Sequence, residues 1–270
     1  MTLNKTGIIL NGCAGRMGRN ILTLLDNDDE LYLAAALEAR DHPLLGKDVS
    51  ALIGKTLPGK KITCEIPSDA LTEGNVLLDF STPASTMERL AITAEAGIPA
   101  VVGTTGFTKE QQKMIRHLSA KAAVVWAPNM SIGVNLLFKL AQDAASCLGP
   151  GFEAEIVELH HDKKKDSPSG TALRLAEAVR SAREDDCDLV FGRHGKDLSR
   201  KPLDVGIHSI RAGDIVGEHT LILAGQGERL ELTHRCSSRV NFALGALRAA
   251  FWIRDKEPGL YDMMDVLGLK

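Results

Sequence analysis

An apolar run, Thr6-Gly-Ile-Ile-Leu, stops at Gly12-Cys-Ala-Gly15-Arg-Met-Gly18 and gives way at once to a helical pattern of Ile21, Leu22, Leu24 and Leu25. That order, strand, glycine turn, helix, starts a parallel α/β sheet. Glycines here permit a tight turn, close approach to a pyrophosphate and close helix–strand packing, while the helix N-terminus faces the phosphate charge. The spacing is G-x-x-G-x-x-G, not the commoner G-x-G-x-x-G. Its context is stronger than the triplet. A second strand over Leu31–Leu37 ends at Glu38, 20 residues after Gly18, where a carboxylate takes the adenosine ribose hydroxyls. The competing reading is that the glycines only allow packing.

The alternation continues with strands over 75–80, 99–102 and 123–126 and helices over 85–96 and 109–122, a Rossmann-like doubly wound parallel sheet. Three strands run into turns of small and hydroxyl residues: Phe80-Ser-Thr-Pro83, Gly103-Thr-Thr-Gly106 and Ala127-Pro-Asn-Met-Ser131. Ligands of such sheets lie beyond the carboxyl ends of the strands, so these turns are expected near a nicotinamide. Ordinary turn chemistry is the bland alternative. Residues 41–60 have few periodic apolar positions and read as a surface excursion.

A helix over 132–148 leads, after Gly149-Pro-Gly151, into a different kind of segment. Residues 153–159 alternate as a strand that ends at His160 and His161, followed by Asp-Lys-Lys-Lys-Asp-Ser-Pro-Ser-Gly-Thr171 and a helix from Thr171. The helix start, with Ser169, Gly170 and Thr171, suits a carboxylate or phosphate. Lys163, Lys164 and Lys165 alone are a solvated loop, unless a cleft lowers the local dielectric. Residues 183–204, with Arg193, His194, Lys196, Arg200 and Lys201, read as a solvated loop able to fold over the site. Strands over 204–210, 217–224 and 228–235 are expected to be antiparallel. With the helix from Thr171 as the only cover, one sheet face is left open, and burying it against other copies is the simplest remedy. A helix over 241–253 returns to the first domain. The expected division is 1–130 with 241–270 as a dinucleotide-binding domain and 131–240 as a smaller α+β substrate and oligomerisation domain with a largely antiparallel or mixed open sheet.

Several function classes are excluded. A net charge of −3 gives no reason to expect nucleic acid or a membrane surface as partner. The N-terminal residues carry no apolar signal core, and no run of about 18 apolar residues could span a membrane, so a cytoplasmic protein is expected. The five cysteines lack C-x-x-C or zinc spacing, which predicts reduced thiols and no metal.

Taken together, Gly12-Cys-Ala-Gly-Arg-Met-Gly18, Asp79-Phe-Ser-Thr-Pro83, Gly103-Thr-Thr-Gly106, Asn129-Met-Ser-Ile-Gly-Val-Asn135, the block from His160 to Thr171 and Arg211-Ala-Gly-Asp-Ile-Val-Gly-Glu-His219 resemble the 4-hydroxy-tetrahydrodipicolinate reductase family over essentially the full length. The His-His and Arg-Ala-Gly-Asp blocks are the specific ones. The resemblance implies reduction of a cyclic dicarboxylate to tetrahydrodipicolinate by NADH or NADPH, in lysine and diaminopimelate biosynthesis, by a homotetramer. It implies His160 and Lys164 as the proton-handling residues. It also implies His161, Gly170 and Thr171 as carboxylate binders, with Arg239 as a weaker candidate. On the cofactor side it implies Gly12, Cys13, Ala14, Gly15, Arg16, Met17, Glu38, Gly103, Thr104, Thr105, Ala127, Pro128, Asn129 and Met130. Some relatives carry arginine directly after the acidic residue. Here Ala39 follows Glu38 and the arginine is displaced to Arg40, so a strong NADPH preference is not expected. Two other classes stay open: a nucleotide-sensing binding protein without turnover, and another two-domain dehydrogenase, which would need a nucleophilic cysteine.

Overall fold

The computed structural model describes residues 5–54, 60–183, 187–196 and 198–270. Chain up to Ile132 and Val240–Lys270 form one compact unit, and Gly133–Arg239 a second. The first opens with β1 (Thr6–Asn11), α1 (Arg16–Leu25), β2 (Leu31–Leu37), α2 (Ser50–Ile53), β3 (Ile62–Thr63), β4 (Asn75–Asp79), α3 (Pro83–Glu95), β5 (Ala100–Val102), α4 (Lys109–Leu118) and β6 (Ala123–Trp126). The second holds α5 (Ile132–Leu148), β7 (Glu153–His160), α6 (Gly170–Arg183), β8 (Leu189–Phe191), β9 (Val205–Arg211), β10 (Gly217–Ala224) and β11 (Arg229–Cys236). The chain then re-enters the first unit with α7 (Val240–Ile253), β12 (Gly259–Tyr261) and α8 (Met263–Leu267).

In the first unit seven strands pair parallel in the order β12-β6-β5-β4-β1-β2-β3. Central strands read as continuous apolar runs because helices cover both faces. Ile8 and Leu10 pack into a core with α1 and α7, while Ile9 packs into another with α3 and α4. The strand order reverses between β1 and β4, which places the turns after Asn11 and Asp79 at the switch point where such sheets bind ligands. Of residues 41–60, 55–59 lie outside the described residues; the rest are not the surface excursion expected, since Val49 and Leu52 are buried in the α1 core and Leu44 and Leu45 pack against it. The helix expected over 109–122 stops at Leu118, and β12 and α8, too short to show a period, were not expected at all.

The second sheet runs β11-β10-β7-β9-β8. It is mixed: β10 is antiparallel to β7 and β11, but β9 is parallel to both β7 and β8, which corrects the antiparallel reading of residues 204–210. Alternation reports a half-buried strand and not its direction. The sheet also has two covering helices and not one, since Val134, Leu137, Phe138 and Ala141 of α5 join Leu175, Ala176 and Val179 of α6 over Ile156, Ile207 and Leu221. Both lie on the same face, and among the described residues no helix packs on the other. Of residues 183–204, 184–186 and 197 lie outside the described residues; the rest are not simply a solvated loop, since Leu189–Phe191 forms the edge strand β8. Arg193 Nη1 reaches both Glu155 oxygens at 2.7 Å, and Arg200 Nε donates to Glu155 at 3.2 Å. Among the described residues no helix is long and apolar enough to cross a membrane.

Candidate active site

The turn after β1 is shaped by contacts that only glycine admits. Gly12 has φ +80° and a Cβ there would lie 2.4 Å from the Phe80 carbonyl oxygen, while a Cβ on Gly18 would lie 2.3 Å from the Gly12 carbonyl oxygen. The turn therefore folds back onto the start of α1, leaving Gly15 and Arg16 exposed and Ala14 and Met17 half-buried. That is a cradle able to take a phosphate at a helix start. Glu38 lies beside it, accepting hydrogen bonds from the backbone N–H of Ala14 at 3.3 Å and of Ala39 at 3.2 Å. Arg40 is drawn away to Glu65 and Glu88, and Arg16 has no side-chain partner among the described residues. Cys13 is buried, and burial, with the Glu38 charge added, pushes its thiol up to about 12. Such a thiol cannot serve as a thiolate nucleophile.

At the switch point Asp79, fully buried, gathers the turns that sequence treated separately. Its carboxylate accepts from Asn11 Nδ2 at 2.6 Å, Thr86 Oγ1 at 2.8 Å, Thr104 Oγ1 at 2.6 Å and Ser81 Oγ at 3.0 Å. Thr104 Oγ1 in turn accepts from Ser81 N–H at 2.9 Å. The Thr104 hydroxyl thus serves the protein, while Gly103 is half-buried and Thr105 exposed. In the turn after β6, Ala127 and Met130 are buried in the core, Pro128 is exposed, and Asn129 is half-buried with its side-chain oxygen accepting from Ser131 N–H at 2.9 Å.

In the second unit the inward row of β7 changes character along its length: Ala154 and Ile156 are apolar, Glu158 and His160 are not, and all four are buried. His160 is the last residue of the strand, one further than expected. Glu158 Oε2 lies 2.5 Å from His160 Nδ1. Arg211, directly opposite His160 on β9, grips both Glu158 oxygens at 2.7 and 2.9 Å, and Ser169 N–H adds a third partner at 3.1 Å. Ser169 Oγ caps α6 by accepting from Ala172 N–H at 3.2 Å and lies 3.0 Å from His219 Nε2. His219 stands opposite Glu158 on β10, its ring edge-on to His160 with centroids 5.2 Å apart.

Burial opposes ionisation of Glu158, but hydrogen bonds from Arg211, Ser209 and His160 outweigh it and hold the carboxyl at about 2. Burial pushes His160 below the ordinary histidine range, Lys164 and Arg211 push the same way, and Glu158 pulls against them. Burial takes His219 down to about 4. Glu158, His160 and His219 bring potential ligand atoms within 4.8 Å of one another. Because Arg211 holds both oxygens, a second cation there would be repelled, and the donor set does not suit a metal.

After the strand, Lys164 is half-buried and pairs with Asp166 at 2.9 Å, whereas Lys163 and Lys165 are exposed. His161 is half-buried, and Gly170 and Thr171 are the first two residues of α6. Arg239 is exposed. Glu158, Arg211 and His219 have no assigned role in the sequence reading, and Ser169 enters it only as part of the helix start. The available signal was parity: Glu158 occupies an inward position of an alternating strand, where an unpaired charge is costly.

Residues 6–130 match the family model "Dihydrodipicolinate reductase, N-terminus" and residues 133–267 match "Dihydrodipicolinate reductase, C-terminus". The 4-hydroxy-tetrahydrodipicolinate reductase of Nitrosomonas europaea is 46% identical over 99% of this chain and 100% of its own length. That of Syntrophotalea carbinolica is 45% identical over 97% of this chain and 99% of its own. A solved structure, dipicolinate-bound dihydrodipicolinate reductase from Paenisporosarcina sp. TG-14, superposes with a TM-score of 0.75 at 25% identity, covering 97% of this chain and 98% of that one. Two adjoining family models and relatives alike from end to end show that this chain belongs to the dihydrodipicolinate reductase family.

Proposed function

We propose that the chain is an NAD(P)H-dependent oxidoreductase that reduces 4-hydroxy-tetrahydrodipicolinate to tetrahydrodipicolinate in lysine and diaminopimelate biosynthesis. The observation that carries this reading is the end of β7. A buried histidine with a fixed partner, a half-buried lysine four residues on and a helix start stand together there. Relatives named for this reduction support it. So does the solved relative described as bound to dipicolinate, a planar cyclic diacid.

The cradle of Gly12, Cys13, Ala14, Gly15, Arg16 and Met17 fits a pyridine dinucleotide, with its pyrophosphate toward the α1 start and its ribose toward Glu38. The remaining cofactor contacts come from the turns at Gly103, Thr104 and Thr105 and at Ala127, Pro128, Asn129 and Met130. Buried Ala127 and Met130, and Thr104 with its hydroxyl engaged, contribute backbone groups. The bound dinucleotide supplies the hydride. The chain's own residues hold the diacid and manage protons. His161 and the Gly170–Thr171 helix start bind a carboxylate, and Lys164 and His160 exchange protons with the reduced ring. Glu38 opposes a 2′-phosphate and Arg40 is paired elsewhere, while Arg16 remains available, so both NADH and NADPH are used without strong preference. The open face of the second sheet makes a homotetramer the proposed assembly, working in the cytoplasm.

The test is oxidation of NADH and NADPH, side by side, with the condensation product of pyruvate and aspartate semialdehyde made in situ. Loss of reduced cofactor with both is expected; none with either would overturn the reading.

A further inference from the structure

We infer that Glu158 is a positioning residue: held by Arg211, it fixes His160 with the proton on Nδ1, so that Nε2 is the atom that exchanges protons in the reaction. This rests on the proposed proton-handling role of His160 and names the atom that performs it.

An ionised carboxylate only accepts hydrogen bonds, so at 2.5 Å the bridging proton must come from His160 Nδ1. Glu158 cannot turn away. Arg211 takes both oxygens in a two-point grip, and Ser169 N–H at 3.1 Å ties one of them to the start of α6. On the far side of the ring no hydrogen bond reaches Nε2 among the described residues. The β10 backbone passes close enough there that a Cβ on Gly217 would lie 3.0 Å from Nε2. One ring nitrogen is therefore locked and the other left to react, the arrangement that sets a histidine tautomer.

The simpler reading is that Glu158 and Arg211 merely staple β7 to β9. Those strands already pair in unbroken register from Ala154↔Val205 to His160↔Arg211. A buried ion pair adds little net stability beyond what apolar residues of the same volume would give. Stapling therefore does not explain why the pair sits under His160. The charged groups facing the ring are Glu158 from β7, Arg211 from β9 and Lys164 from the following turn, itself paired with Asp166; His219 from β10 faces it as a neutral ring.

The tautomer can be read directly from ¹⁵N shifts of labelled histidine in the wild-type protein, above the His160 titration, whether or not the protein turns over. A protonated Nδ1 and a bare Nε2 are expected; the reverse would overturn the assignment. Kinetically, Glu158→Gln should lower kcat by about 10²-fold or more while the KM for reduced cofactor stays within about twofold. Glu158→Gln removes an anion beside the ring, so the pH limb belonging to His160 should move to lower pH; Arg211→Gln removes a cation and should move it to higher pH. Opposed shifts place both charges against the His160 ring, and shifts in the same direction or none would contradict the inference; the loss of kcat at unchanged cofactor KM is what a merely structural pair would not give. If Glu158→Gln does not fold, Glu158→Asp keeps the charge and should keep the limb in place. Wild-type protein with the expected tautomer but no turnover would count against the reductase reading and leave this assignment standing.

Discussion

His219 is 3% exposed and neutral in the folded protein, with its pKa driven down to about 4 by burial from an ordinary 6.5. The unfolded chain therefore takes up a proton near pH 6.5 that the folded chain refuses until about 4, and stability falls across that window as pH drops. The shift is equivalent to at most about 3 kcal/mol. Glu158, depressed from 4.5 to about 2, acts in the same direction in a lower window: its contribution is complete above 4.5 and is lost between there and about 2. Urea unfolding from pH 7 to 4.5 should show a falling midpoint in the wild type and a flatter profile in His219→Gln; parallel profiles would remove His219 from the acid response. Residues at the end of β7 differ in legibility. His160 and Lys164 could be picked out through motif resemblance, whereas Glu158 needed the strand to be built before its inward position mattered.

Asp79 shows the same limit among elements. Asp79-Phe-Ser-Thr-Pro83 reads as a turn, yet the carboxylate ties the ends of β1, β4 and β5 to the first turn of α3 through Asn11, Ser81, Thr104 and Thr86. No local pattern reports a bond between residues 68 apart, such as Asn11 to Asp79. Asp79→Asn puts an amide donor among donors and leaves at least one buried group unsatisfied, at about 1–3 kcal/mol. The expected outcome is a Tm lower by several degrees and a raised cofactor KM with kcat at saturation largely retained. Unchanged thermal stability would mean the network is dispensable. The alternation of strands and helices was legible because both faces of a parallel sheet are buried, so β1, β2, β4, β5 and β6 stand out as apolar runs. Short elements such as β12, and the parallel direction of β9, leave no such trace. The packing of Val49 and Leu52 was hidden among Gly, Pro and Lys.

For the molecule as a whole, the return of α7 to the first unit was readable from its long apolar face. The open face of the second sheet carries Ile210, 43% exposed, together with half-buried Val157, Leu159 and Ile222. Apolar residues on an uncovered sheet are the mark of an interface. Light scattering should find a tetramer, and Ile210→Glu with Ile222→Glu should shift it to smaller species; a monomeric wild type would contradict the assembly. The central claim, that the end of β7 performs the proton chemistry, is tested most directly by turnover of the condensation product across four single variants with cofactor KM measured alongside. His160→Gln and Lys164→Ala should each lose about 10²-fold or more in kcat at nearly unchanged cofactor KM, and Lys164→Ala should also raise the substrate KM. Lys163→Ala and Lys165→Ala should stay within a few-fold of wild type. Equal losses at all three lysines, or full turnover in His160→Gln, would contradict the account.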